Sequence, residues 1–254
     1  MRKTLIAASC AAIIASPAWA EDAAETDRGW KGEVEAAYLM KRGNSRSDTV
    51  IGKANAEKDT LWWRHTAKIE GANEETRNAA TGADERSAER YFLSYKLDRK
   101  FGEDSPTYLF NIATYDKDRF SGFHYQASYA LGLGQRWLTG PVHTLDTEAG
   151  PGYRAVCLEP ESSYSDCAAK EEDAILRLAL NYGWKISETA QFSESITTEV
   201  GDDVTTTRAE TSLTSQINGR LALRLSHLLK HTSEVPAGSK KSDQEVSVSI
   251  VYKF

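Results

Sequence analysis

The chain has 254 residues, with 31 Lys and Arg against 37 Asp and Glu and a formal net charge of −6 at pH 7. That acidic balance is not built to neutralise phosphates, which excludes a nucleic-acid partner. Beyond residue 20 no run of 18 apolar residues occurs, which excludes a membrane-spanning helix. It does not exclude a spanning β-barrel, whose apolar residues stand only at every second position.

The chain opens Met1-Arg2-Lys3, runs apolar from Thr4 to Ile14 and reaches Ala18-Trp19-Ala20 before Glu21. Positive start, apolar run and small-residue cleavage site predict a secretory signal peptide over 1–20. Cys10 lies inside it. The preceding Ala7-Ala8-Ser9 lacks the large aliphatic residue of a lipid-attachment site, so an ordinary signal residue is preferred to acylation. Removal takes Arg2 and Lys3 and leaves 29 basic against 37 acidic residues, a net charge of about −8. Cys157 and Cys167 remain. In an exported chain such a pair predicts a disulfide, closing a loop of about ten residues and contributing about 2–3 kcal/mol through the unfolded state.

A short segment, 21–28, precedes the first strand. In "GWKGEVEAAYLM", Trp30, Val34, Ala36, Tyr38 and Met40 share one face; Lys31, Glu33 and Glu35 share the other. This period of two is that of a strand. "KRGNSRS" follows as a turn. "DTVIGKANAEK" sets Val50, Gly52, Ala54 and Ala56 against Lys53, Asn55 and Glu57, and "LWWRHTAKIEG" sets Trp63, Ala67 and Ile69 against Arg64, Lys68 and Glu70. A polar segment over 72–87 is expected to be a long loop. "AERYFLSYKLD" places Tyr91, Leu93, Tyr95 and Leu97 opposite Arg90 and Lys96. "TYLFNIATY" and a charged turn at Asp116-Lys117-Asp118 come next. "GFHYQASYALGLGQRW" is the longest alternation, with His124, Gln126, Ser128 and Arg136 on its polar face. "VHTLDTEAGPGYRAV" is weaker, because Gly150-Pro151-Gly152 suggests a bulge or a strand end. After the cysteine loop come "DAILRLALNYGW", carrying Arg177, then "AQFSESITTEV" and "TTTRAETSLTSQI". Asn218-Gly219 is a two-residue hairpin signal. "RLALRLSHLLKH", carrying Arg224, and the final "EVSVSIVYKF", with Glu245 on its polar side, complete the chain. Two runs, "DAILRLALNYGW" and "RLALRLSHLLK", also fit a helical period; the hairpin turn and the neighbouring strands favour strand for both.

The count is about twelve strands, joined by links that alternate between long and short. The five tryptophans beyond the signal, Trp30, Trp62, Trp63, Trp137 and Trp184, all fall at the short-link end, where an aromatic girdle meets the membrane surface. The fold class read from this is all-β: one transmembrane antiparallel up-and-down β-barrel over 29–254, with both termini on the periplasmic side. A barrel must close its last strand on its first, since lipid cannot satisfy an open edge. The ending on Tyr252 and Phe254 resembles the assembly signal of bacterial outer-membrane proteins and implies the barrel-assembly machinery as a partner, besides the outer-membrane lipid bilayer.

Trp30, Gly32, Gly43, Asn44 and Ser45, the "LWWRHTAKIEG" strand and the ending Asp243 to Phe254 resemble the salt-induced outer membrane protein family, a domain-of-unknown-function family of Gram-negative outer-membrane barrels. The resemblance spans 29–254. It implies the outer membrane of a Gram-negative bacterium and a link to salt or osmotic stress. It brings no catalytic residues.

The search for chemistry returns little. His227 and His231 are four apart, which on a strand is about 13 Å, too far for one metal ion. His124 and Ser128 share a face but are not adjacent, so two lumen residues are preferred to a hydrolase pair. His65 and His227 fall on the lipid-facing side as blemishes in the register. "GLGQRW" is not a phosphate loop; Gly132 and Gly134 ease close strand packing. No cofactor or metal is expected, and no enzyme. The inward faces carry Lys31, Glu33, Glu35, Lys53, Glu57, Arg64, Lys68, Glu70, Arg90, Lys96, Arg136, Arg177, Arg224 and Glu245. Two readings compete: these charges line a narrow diffusion channel for small solutes, or they pair across the lumen and close a structural, partner-binding barrel. An outer-membrane lipid hydrolase comes third.

Overall fold

The computed structural model describes residues 29–41, 47–77, 84–102, 105–118, 123–158, 167, 169–235 and 240–254. The expected signal peptide, 1–20, and the segment 21–28 lie outside the described residues. Twelve strands follow one another: β1 (Lys31–Lys41), β2 (Ser47–Asp59), β3 (Trp63–Arg77), β4 (Asp84–Lys100), β5 (Thr107–Asp118), β6 (Phe123–Thr139), β7 (His143–Leu158), β8 (Lys170–Lys185), β9 (Ala190–Val200), β10 (Thr205–Gln216), β11 (Leu221–Thr232) and β12 (Ser242–Lys253). Each pairs antiparallel with its chain neighbours, and β12 returns to β1, closing the barrel. The two segments whose leucines also suit a helix are the strands β8 and β11. Closure explains the choice, because in hydrocarbon a backbone group has no partner except the neighbouring strand.

Alternation sorts the side chains. On β4, Tyr91, Leu93 and Tyr95 point outward and are exposed, while Ser94, Asp98 and Lys100 point inward and are buried. On β12, Val246, Val248, Ile250 and Tyr252 are exposed and Ser247 and Ser249 buried. The outward band is therefore the apolar surface of a membrane barrel, with Glu194 as an exception whose carboxylate accepts a hydrogen bond from Thr211 Oγ1 at 2.6 Å. Trp30, Trp62, Trp63, Trp137 and Trp184 are all exposed and gather at the end with the tight turns, where both described termini also lie.

Two expectations are corrected. The segment 72–87 is mostly strand: β3 runs on to Arg77 and β4 begins at Asp84. Its polar sequence reflects strands rising above the lipid, where the outward face meets water and needs no apolar residues. Nor does Gly150-Pro151-Gly152 end a strand, since β7 runs through it and pairs with Arg177, Leu176 and Ile175 of β8.

The seam between β1 and β12 is the shortest ladder of the barrel, running from Glu33↔Lys253 to Ala36↔Ile250. Beyond it, Gly32 and Phe254 exchange both backbone hydrogen bonds, N to O at 3.0 and 2.9 Å. The Phe254 ring lies over Gly32, where a Cβ would come within 2.4 Å of it and within 2.6 Å of the Asn55 carbonyl oxygen. Any larger residue at 32 pushes the terminal aromatic off the seam. Gly32→Leu is expected to cost about 1–3 kcal/mol by overpacking. The check is the temperature at which the fast-migrating folded band converts to the unfolded one on an electrophoresis gel, expected to fall by roughly 2–10 °C.

Candidate functional site

Alternation encloses a polar lumen, and charged side chains fill it. Neighbouring strands make the local pairs. Arg64 Nε donates to Asp98 at 2.7 Å and Arg154 Nη2 to Asp173 at 3.0 Å. Arg224 reaches over β12 to β1, meeting Glu33 at 2.7 Å and Glu35 at 2.9 Å. Other pairs cross the bore. Lys53 of β2 meets Glu210 of β10 at 2.8 Å, and Arg208 of β10 meets Glu70 of β3 at 2.6 Å. Arg90 of β4 meets Glu245 of β12 at 3.1 Å. Lys230 of β11 meets Asp116 of β5, on the wall directly opposite, at 2.6 Å. Lys96 of β4 pairs with Glu148 of β7, and Arg64 reaches Asp146 at 3.6 Å.

One stretch of wall is apolar. On β5 it is Tyr108, Phe110 and Ile112 that face inward, packed with Ala130 of β6. The Tyr108 ring presses on Gly134, where a Cβ would sit 2.2 Å from it. Its hydroxyl donates to Glu148 at 2.9 Å. Arg64, Lys96 and Arg136 lie over the ring, 5.0, 5.6 and 5.7 Å from its centroid. Their charge is thereby held by an aromatic face as well as by carboxylates.

Between these pairs lies a cavity of about 330 Å³, whose walls include Glu57, Lys68, Glu70, Glu148, Arg177 and Arg208. A second hollow of about 600 Å³ opens at the long-link end, with Glu171, Glu172, Asp173, Asp202, Asp203 and Glu234 around Arg154. It is an acidic vestibule.

The residues singled out in the sequence fall as follows. Glu33, Glu35, Lys53, Arg64, Lys68, Glu70, Arg90, Lys96, Arg136, Arg177, Arg224 and Glu245 face the lumen, and Glu57 lines the cavity near the short-turn end. Lys31 is exposed at the rim. Cys157 and Cys167 are joined as a disulfide. Ser128 donates to Glu199 at 2.8 Å and accepts from Thr114 at 2.7 Å, with no histidine among its partners. His124 packs instead against Tyr125. His65 bonds the Tyr95 hydroxyl at 2.8 Å, and His227 and His231 bond Gln244 and Ser242 at 3.3 and 2.7 Å, all on the outward side. Sequence reasoning missed Asp98, Tyr108, Asp116, Glu148, Arg154, Arg208, Glu210 and Lys230. Strict alternation from Arg90 along β4 and from Thr214 along β10 finds Asp98, Glu210 and Arg208. For Tyr108 the apolar inward face of β5 removes the signal.

Comparison with known proteins places this lumen in a family. A family described as "Protein of unknown function, DUF481" matches residues 34–254. The chain belongs to the DUF481 family. It is 26% identical over 235 residues to "Uncharacterized protein YdiY" of Escherichia coli (strain K12), covering 92% of this chain and 87% of that protein. Among solved structures it is similar to the translocator domain of autotransporter NalP from Neisseria meningitidis, at 12% identity and a TM-score of 0.50, covering 89% of each chain. The COG4313 outer membrane channel from Pseudomonas putida F1 aligns at 10% identity and a TM-score of 0.48, covering 94% of this chain and 100% of that one. The DUF481 chain thus shares its barrel architecture with the NalP translocator domain, a chain of very different sequence.

Within this member of the family, Arg224 is the group on which the seam-side charges depend. Glu35 is 2% exposed, and removing its cation leaves it buried beside the half-buried carboxylate of Glu33. Arg224→Met is expected to destabilise by about 3–5 kcal/mol, read from the urea midpoint of the protein refolded in lipid vesicles. Adding Glu35→Gln to it is expected to recover part of the loss.

Proposed function

We infer that this DUF481 protein is an outer-membrane barrel of a Gram-negative envelope, serving as a narrow passive path for small solutes under salt or osmotic stress. The short-turn end with its tryptophan girdle faces the periplasm, and the acidic vestibule faces outside. The terminal strand, ending on Tyr252 and Phe254, is the segment the barrel-assembly machinery reads. This reading assigns the chain no catalytic role; Ser128, the nucleophile that a hydrolase reading needs, donates to Glu199 and hydrogen-bonds Thr114.

The observation that carries the reading is a polar cavity of about 330 Å³ bounded, among the described residues, by ion pairs between strands of the wall. Ion pairs in contact with water are screened by salt, the Debye length falling from about 10 Å at 0.1 M to about 3 Å at 1 M. High salt therefore loosens the bore. The competing reading is a closed structural barrel, and Lys230 meeting Asp116 from the opposite wall favours it at low salt.

The test is conductance of the refolded protein in a planar lipid bilayer. Discrete current steps are expected, growing between 0.1 and 1 M KCl by more than the bulk conductivity does. The double variant Lys230→Met, Asp116→Asn is expected to show at 0.1 M the steps that the natural chain shows only at higher salt. Silence at every salt, from protein that still runs as a folded band, establishes the closed barrel instead.

A further inference from the structure

The ions of the central cavity divide into those with partners and those without. Lys53 and Arg208 hold Glu210 and Glu70. Lys96 holds Glu148, Arg64 lies near Asp146, Arg177 near Glu199, Arg154 holds Asp173 and Lys230 holds Asp116. Among the described residues, two charged side chains on the cavity wall make no ion pair or hydrogen bond: Lys68 and Glu57. They are of opposite sign.

Their placement is fixed by the ladder. Glu57 is registered with Thr66 and Asn55 with Lys68, so Glu57 and Lys68 are diagonal neighbours on the lumen face of β2 and β3. Such positions are about 7–8 Å apart. The charges that act most strongly on Lys68 are Glu210 and Glu70, followed by Arg208 and Lys96. Lys53, Lys68 and Arg208 are three cations facing the two carboxylates Glu70 and Glu210, so one positive charge at Lys68 stays uncompensated. Glu57 is exposed, at the end of the cavity nearest the short turns. Thr66, Asn181, Ser195 and Thr197 offer neutral hydrogen-bonding groups around the same space, and Phe92 and Ile112 an apolar side.

We propose that this cavity binds a small zwitterion of the α-amino-acid class, its carboxylate on Lys68 and its ammonium on Glu57. A molecule bearing both charges satisfies both unpaired ions at once and leaves the cavity neutral. An anion satisfies Lys68 alone and a cation Glu57 alone, each leaving the other charge without a counter-ion. The acidic vestibule at the far mouth opposes anions and leaves a zwitterion, with no net charge, free of that barrier. The volume accepts an amino acid with a polar side chain. This rests on the reading of the lumen as a solute path, and it names the solute class for that path.

The experiment is calorimetric titration of the refolded, detergent-solubilised protein with L-glutamine, N-acetyl-L-glutamine, which lacks the ammonium, and L-glutaminamide, which lacks the carboxylate. Glutamine is expected to bind at least tenfold more tightly than either analogue. Lys68→Met and Glu57→Gln are each expected to weaken it at least tenfold. The charge exchange Glu57→Lys with Lys68→Glu is expected to restore binding to within about threefold of the natural chain, with the ligand reversed. Equal affinity for all three compounds, or glutamine binding untouched by Lys68→Met, overturns the proposal, as does the absence of heat with any of them from protein shown to be folded. Bilayer recordings separate this from the channel reading. Glutamine binding without conductance keeps the site and removes the channel; conductance that glutamine does not alter, together with no binding, keeps the channel and removes the site.

Discussion

The condition on which everything else in this protein rests is the ring of backbone hydrogen bonds. In hydrocarbon a strand edge has no water to turn to, so the sheet has to meet itself. Here it does so through the short ladder from Glu33↔Lys253 to Ala36↔Ile250 and the reciprocal bonds of Gly32 and Phe254. Once the ring exists, the period of two assigns each side chain to lipid or lumen with no further choice. The missing side chain at Gly32 and the ring of Phe254 are two halves of one contact, and they place the final residue of the chain at the point of closure.

Closure then creates an electrostatic problem. Twelve inward faces bring many charges into one narrow space, and a carboxylate as covered as Asp98, at 0% exposure, cannot rest on solvent. The protein answers with shared partners: Arg64 and Lys96 both approach Asp98, at 2.7 and 3.4 Å, and Arg224 holds two glutamates. Where cations would crowd one another, the Tyr108 ring takes up part of their charge. Gly134 belongs to this arrangement, because its absent side chain lets the ring lie flat against the wall beneath Arg64, Lys96 and Arg136.

Much of this was legible from alternation alone. The strand number, the lumen position of residues such as Glu35, Arg64 and Glu70, and the tryptophan end all follow from a period of two joined by links of unequal length. What escaped did so for physical reasons. On β5 both faces carry apolar residues, so the inward Tyr108 and Phe110 look like any lipid-facing pair until the glycines opposite them are placed. The segment 72–87 is polar because its strands stand in water, and polarity alone does not separate a tall hairpin from a loop. Above all, a sequence shows which charges share a face but not which meet. Lys230 and Asp116 are 114 positions apart, and only the closed ring makes them neighbours.

That last pair also constrains the shape. A round barrel of twelve strands, tilted about 40° and spaced about 4.8 Å, sets opposite backbones about 24 Å apart. A fully extended lysine and an aspartate in contact span only about 13 Å between their Cα atoms, from standard bond lengths. The walls carrying β5 and β11 are therefore drawn together well inside the round diameter. Arg208 with Glu70 and Arg90 with Glu245 tie the flanking strands β10, β3, β12 and β4 along the same short axis. A flattened ring bends its sheet sharply at two edges and gently along its faces, and the ion pairs work against the sheet's tendency to an even curvature. The bore is thus set by a balance between sheet elasticity, which salt does not touch, and Coulomb attraction, which salt weakens. On the solute-path reading proposed above, that balance lets the bore widen as ionic strength rises.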